Sequence, residues 1–185
     1  MRQILIYLGD NLQKQAILDD ILNDVNVAHT FLNDDDLNDT LGYLLKLENF
    51  AKNDKRTTLH CSIDFMYLDD ISDEMIFTLN ELMKAKGISM PRKGMRTPTN
   101  IHWKLIDLLS EIEAEHTYFE KMEQLYKLLQ DSSELIIERY TSESWKNYEQ
   151  AFYDGYQWMQ KQGELKDIEL AIEKLKQAKL DLILK

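Results

Sequence analysis

A single cysteine, Cys61, stands among 185 residues, so no internal disulfide can form and the chain suits a reducing compartment. Only two prolines and six glycines interrupt it, which leaves little to break helices, and helix is expected to dominate. No stretch approaches the roughly 20 apolar residues of a membrane span. The apolar start, Met1 to Leu8, is too short for the hydrophobic region of a secretory signal. These absences predict a cytoplasmic chain without membrane contact. Positive charge is also scarce: 22 Lys and Arg against 33 Asp and Glu, a formal net charge of −11. Nucleic-acid binding through the general surface is therefore not expected. No phosphate-binding Gly-rich loop, dinucleotide fingerprint or Gly-x-Ser-x-Gly elbow occurs, so no cofactor and no catalytic residue is assigned. What is present, 44% hydrophobic residues, is enough to bury a core.

The order of that content predicts a duplicated region. Gln3 to Leu8 is a compact run of strand formers closed by Gly9-Asp10-Asn11. Leu12, Ala16, Ile17, Ile21 and Leu22 follow at helical spacing, and Val25 to Leu32 reads as a second strand. Asn33-Asp34-Asp35-Asp36 has the look of a helix start, a cap followed by acids at the positive end of the dipole, with Leu37, Leu41, Leu44, Leu45 and Leu47 as the apolar face. Ala51 to Thr58 reads as a polar loop. The pattern then repeats. Cys61 to Leu68 is a predicted strand, Ser72 caps a helix with face Met75, Ile76, Leu79, Leu82 and Met83 that Gly87 stops, and Ile88 to Arg96 is a short strand. Tyr7-Leu8-Gly9-Asp10 aligns with Tyr67-Leu68-Asp69-Asp70, and Leu41 to Leu45 with Leu105 to Leu109.

The stretch that best suggests a site is Arg92 to Lys104. Pro98 suits the first position of a helix, with Thr97 as its cap. From Leu82 to Ile106 there is no acid, yet Lys84, Lys86, Arg92, Lys93, Arg96 and Lys104 all fall there. Lys93 and Arg96, with Thr97, Thr99 and Asn100 at a helix start, would hold a phosphate or carboxylate, and Trp103 and His102 would flank it. The plainer reading of the same residues is a structural cap beside an edge strand guarded by cations, and it is the preferred one. Glu111, Glu115 and His116 lie close on one helix, but no second cluster answers them, so they read as solvated charges and no metal is assigned. The aspartates after Asn33 lack the Gly and terminal Glu of a calcium loop.

Beyond Tyr118 only helical spacing remains. Tyr118, Met122, Leu125, Leu128, Leu129, Leu135 and Ile136 mark one long helix, kinked near Asp131-Ser132-Ser133. Trp145, Tyr148, Phe152, Tyr156 and Met159 mark a second, capped at Thr141 or Ser142, and Ile168, Ala171, Leu175, Ala178 and Leu182 mark a third. Short connections predict a three-helix bundle. Trp158 lies one step off the apolar stripe and is the candidate partner contact.

Lys93-Gly94-Met95-Arg96-Thr97-Pro98-Thr99-Asn100 with Trp103, the Leu109-x-Glu111-x-x-x-Glu115-His116 run, and Asp35-Asp36-Leu37-x-x-Thr40-Leu41-Gly42-Tyr43-Leu44 resemble the family called domain of unknown function 3783, over about residues 1–117. That likeness implies no activity. Tyr140-Thr141-x-x-Ser144-Trp145 and the spacing of the last helix resemble the FIVAR module, over about residues 119–184. The module is best known as a repeat of large Gram-positive surface proteins, some of which bind sugars or matrix proteins. It implies a three-helix fold, while this chain carries one copy.

The expected architecture is α+β or α/β. A duplicated strand-helix-strand-helix domain, residues 1–117, holds a four-stranded sheet that is either ferredoxin-like or parallel, and a FIVAR-like bundle follows at 118–185. The favoured function is a non-catalytic binding protein with the bundle as docking module for a protein partner. The alternatives are an anion site at Lys93 to Trp103 taking a phosphorylated small molecule, with or without catalysis, and sugar binding through the bundle.

Overall fold

The computed structural model describes residues 2–54 and 58–185. Lys55, Arg56 and Thr57 of the expected polar loop lie outside the described residues. The chain divides into two compact units, Met1–Glu113 and Ala114–Lys185.

The first unit is built on strands β1 (Gln3–Tyr7), β2 (Ala28–Leu32), β3 (Phe65–Asp69) and β4 (Lys93–Met95). They form one sheet in the order β2-β1-β3-β4. β1 pairs parallel with β2, β3 pairs parallel with β4, and β1 and β3 meet antiparallel at the centre, with Leu5 opposite Tyr67. The sheet is thus mixed. Every residue of β1 and of β3 is buried, because successive side chains point to opposite faces and both faces are covered. Ile4, Ile6, Met66 and Leu68 pack with Leu18, Ile21 and Leu22 of α1 (Gln15–Asp24). On the same side, Leu79 and Met83 come from another helix, Asp73–Ala85. Leu5, Tyr7, Phe65 and Tyr67 pack on the other face with Leu37, Leu41, Leu105 and Leu109. Neither the ferredoxin-like nor the parallel alternative is what forms, since the sheet is mixed and both of its faces are covered. A sheet with helices on one face only would leave Leu5, Tyr7, Phe65 and Tyr67 in water.

Helix signals act locally as expected in part of the unit. α1 runs to Asp24. The later helix starts at Ser72, whose hydroxyl accepts from the Met75 N–H at 3.4 Å, and the chain leaves it through Gly87 at φ +72°. The helices expected from Asn33 and from Pro98 do not form as continuous elements. After Asn33 comes a single 3-10 turn, Asp34–Asp36, then a four-residue helix α2 (Leu41–Leu44) capped by Thr40. With α3 (Asp73–Ala85) numbered in chain order, the stretch after Pro98 likewise makes a 3-10 turn, Asn100–His102, before α4 begins at Leu105 (Leu105–Asp131).

The reason for both interruptions is one joint. Thr40 and Lys104 form an isolated antiparallel bridge. The Leu41 N–H donates to the Trp103 carbonyl and the Leu105 N–H to the Asp39 carbonyl, each at 3.0 Å. Backbone groups that a continuous helix would satisfy internally are instead exchanged between the two halves. The exchange is reciprocal, so each half meets the other through equivalent residues. The equivalence of Leu41–Leu45 with Leu105–Leu109 is the register of this joint. That of Tyr7 with Tyr67 is not the register of the sheet, where Leu5 faces Tyr67.

In the second unit, the later part of α4, α5 (Ser142–Lys161) and α6 (Leu165–Leu180) share a core of Leu125, Leu129, Tyr148, Ala151, Ile168, Ala171, Ile172 and Leu175. Gly155 lets α5 approach: a Cβ there would sit 3.3 Å from Leu125. The Tyr140-Thr141-x-x-Ser144-Trp145 stretch holds the chain's last residues. Thr141 N–H donates to the Ile183 carbonyl at 2.8 Å, and the buried Ser144 hydroxyl accepts from the Ile183 N–H at 3.1 Å. Tyr140 stacks on Trp145 with centroids 6.0 Å apart.

Candidate functional site

The basic stretch is folded into its own partners. Arg92 donates through Nε to Glu113 Oε2 at 2.7 Å and lies 3.8 Å from the buried carboxylate of Asp64. Lys14 pairs with the same carboxylate from α1's side. Lys93 is half-buried, its Nζ donating to the Met90 carbonyl, and burial pushes its ammonium down from the ordinary lysine range. Arg96 pairs with Asp69 at 3.1 Å. The Thr97 hydroxyl accepts from the Asn100 N–H at 3.1 Å, while Asn100 Oδ1 accepts from the Thr97 N–H at 2.8 Å. The reciprocal cap occupies two of the donors an anion would use. Asn100 also ties in Tyr67, whose hydroxyl donates to Oδ1 at 2.5 Å, and it donates from Nδ2 to the Met95 carbonyl at 2.9 Å. Burial, and next the charge of Asp69, push the Tyr67 hydroxyl up to about 12. Trp103 is half-buried against the second core, and Thr99 is exposed with its carbonyl accepting from the His102 N–H at 3.2 Å. Arg96, Thr97 and Asn100 are thus brought together with Asp69 and Tyr67, whereas Lys93 and Trp103 face other neighbours.

The polar cluster that opens onto a cleft lies at the carboxyl ends of β1 and β2. There Tyr7, Gly9, Asp10, Leu12, Asn33, Asp34, Asp35 and His60 line a volume of about 500 Å³. His60 is clamped between two carboxylates, Nδ1 to Asp34 Oδ2 and Nε2 to Asp10 Oδ1, both at 2.9 Å. The Tyr7 hydroxyl donates to Asp34 Oδ1 at 2.6 Å and accepts from the Cys61 N–H at 3.2 Å. Asp34 and then Asp10 raise the His60 imidazole above its usual range. Tyr7 and then His60, by hydrogen bonding, hold the Asp34 carboxyl low. Burial, followed by the bond to Asp34, drives the Tyr7 hydroxyl well above the ordinary phenol. Both His60 nitrogens are thus engaged by carboxylates, on a ring that is itself half exposed. The two nitrogens also point to opposite sides of the ring, so the cluster does not converge on one metal ion. No group of three His, Cys, Asp or Glu residues able to hold a metal occurs among the described residues.

Asn33 and Asp36 build the rim, the Asn33 N–H donating to Asp36 Oδ2 at 2.9 Å and the Asp35 N–H to Asn33 Oδ1 at 2.8 Å. Sequence reasoning misses this cleft because it extends a strand over Cys61 to Leu68. The strand begins only at Phe65, and Leu59 to Asp64 is irregular. The usable signal was Asp10 and Asp34, each just beyond a predicted strand. It becomes a site only once β1 and β2 are parallel neighbours.

Elsewhere, His116 pairs with Glu120 at 3.1 Å. Trp158 is 37% exposed, with Lys161 Nζ 6.0 Å from its ring and Gly163 packed so close that a Cβ would lie 2.6 Å from the indole. The residue thus closes the end of α5. No helix of the described residues is long and apolar enough to cross a membrane.

No curated protein and no solved structure matches the chain. The second half of the α/β unit, with β3, α3, β4 and the start of α4, does find relatives: residues 64–119 match the family described as Domain of unknown function (DUF3783).

Proposed function

We propose that the chain is a non-catalytic binding protein whose α/β unit takes a small basic ligand, an amine or guanidinium, in the cleft at the carboxyl ends of β1 and β2. The observation that carries this is the cleft's lining. Among the described residues, Asp10, Asp34 and Asp35 contribute carboxylates, no Lys or Arg lines it, and its histidine is already clamped by two of the acids. In sheets of this kind, ligands settle outside the carboxyl ends of parallel strands, and an acidic cleft concentrates cations. Calorimetric titration with argininamide and with spermidine tests it. Saturable binding that weakens severalfold in Asp10→Asn and Asp35→Asn, and again on adding salt, supports the reading. Turnover of any compound in a hydrolase or phosphotransfer screen overturns the non-catalytic part. The anion alternative at Lys93, Arg96, Thr97, Thr99, Asn100 and Trp103 predicts instead stabilisation by phosphate that is lost in Arg96→Ala.

A second reading gives the helical unit a docking role toward a protein partner, with the FIVAR-like signature as its likeness. It is supported by Tyr153, Tyr156 and Trp158, which stand 55%, 44% and 37% exposed along α5. A partner held through Trp158 would be released by Trp158→Ala. Glucosamine binding lost in the same variant would favour the sugar reading.

A further inference from the structure

The helical unit holds a second cavity, about 240 Å³ between the end of α4 and the first half of α5, whose wall takes in Tyr153 of the docking reading. Its walls include Trp145, Tyr148, Phe152 and Tyr153, with Ser132 and Glu149 at its polar side. Three features set the charge of what fits there. Aromatic faces attract cations through their quadrupole, most strongly where water is displaced. Glu149 is exposed, and its carboxylate makes no ion pair or hydrogen bond among the described residues. The wall from Leu129 to Ser133 is the carboxyl end of a 27-residue helix, where the partial charge is negative. Among the described residues, no Lys or Arg lines the cavity.

Size and polarity narrow the ligand further. The volume lies below the roughly 300 Å³ at which pockets for drug-sized molecules begin, so the occupant is a small head group. Bulky ammonium ions with several alkyl groups suit aromatic walls better than a bare amine, which keeps its tight hydration. The Trp145 Nε1 donor is buried without an acceptor among the described residues. That nitrogen is covered, so a ligand hydroxyl finds its partner instead in the Glu149 carboxylate, which no described residue engages. We infer that this cavity, walled by Trp145, Tyr148, Phe152 and Tyr153 and polarised by Glu149, is a binding site for a small quaternary ammonium compound that carries a hydroxyl, of the choline type.

The full chain is titrated with choline by calorimetry, and with 3,3-dimethylbutan-1-ol, its neutral isostere of the same shape. The expected result is saturable choline binding with the isostere about tenfold weaker or more, the difference being the cation–aromatic and carboxylate attraction. Tyr153→Leu and Glu149→Gln each lower choline affinity severalfold, while circular dichroism confirms the fold, since both side chains are exposed. Asp35→Asn, in the other unit, leaves it unchanged. Equal binding of the isostere overturns the inference, as does no saturable choline binding or indifference to both variants of the cavity. Loss of choline binding in Asp35→Asn moves the site to the acidic cleft, and tighter binding of glucosamine than of choline makes the cavity a sugar site; either defeats the inference.

Discussion

The two halves of the α/β unit share a backbone plan and differ in chemistry. Each is a parallel strand pair followed by a capped 3-10 turn, a break, and a helix start held by the other half. After β2, Asn33 with Asp36 caps that turn; after β4, Thr97 with Asn100 closes the bend that leads into it. The first half opens its acids onto a cleft, where His60 bridges Asp10 and Asp34. The second closes its charges on itself, Arg96 on Asp69 and Arg92 between Asp64 and Glu113. The backbone joint and the caps are therefore the common requirement of the fold, while the side chains around them are free to make a cleft in one half and internal pairs in the other. It is the second half that matches the family.

The comparison breaks most sharply at Asp64, whose counterpart in the alignment of Tyr67 with Tyr7 is the apolar Ile4. Asp64→Asn leaves Lys14 and Arg92 without their buried partner, and should cost about 3–5 kcal/mol in urea denaturation. Leu41 and Leu105 occupy equivalent places at the joint and are both fully buried. Either Leu→Ala change should cost roughly 2–5 kcal/mol, and similar losses for the two would show that the halves bear on the joint equally. Gly42 departs from the symmetry, since its counterpart is Ile106 and the Phe50 ring fills the space a side chain would need, 2.5 Å from where a Cβ would sit. Gly42→Ala should therefore destabilise by about 1–3 kcal/mol, and Phe50→Leu in the same chain should recover part of it. The caps should be nearly matched: Asn33→Ala and Thr97→Ala cost about 1 kcal/mol each.

The smallest effect separates the halves by pH. Asp34 is held low in the folded state, so its contribution is present above the ordinary carboxylate pKa and is lost as pH falls toward its lowered value. His60 is raised, so its contribution is full below the ordinary imidazole pKa and is lost as pH rises through its raised value. Scanning calorimetry should find a melting temperature that declines slightly on the alkaline side of about pH 6.5, and His60→Gln should flatten that limb.

Much of the first unit could be read along the chain. The four strands, the α1 periodicity, the Ser72 cap and the Gly87 stop depend on neighbours a few residues apart. So do the reciprocal caps at Asn33 and Thr97. The duplication was visible in Leu41–Leu45 and Leu105–Leu109 because both copies bury the same face. The helix starts were misplaced at Pro98 and after Asn33, since the force that interrupts them comes from the other half of the unit. The charges of the basic island looked unopposed for a similar reason: Asp64, Asp69 and Glu113, which answer Arg92 and Arg96, lie well away from them in sequence.

Spacing and local hydrogen bonding thus settle which residues become strands, which become helices and where caps fall, because those choices are made over one or two turns. Strand order and direction, the exchange of backbone bonds at Thr40 and Lys104, and the meeting of Asp10, Asp34 and His60 depend on segments that touch only when the sheet assembles. Burial of both faces of β1 and β3 drives that assembly. Whether a charge ends in a cleft or in a closed pair follows from which strand lies beside it.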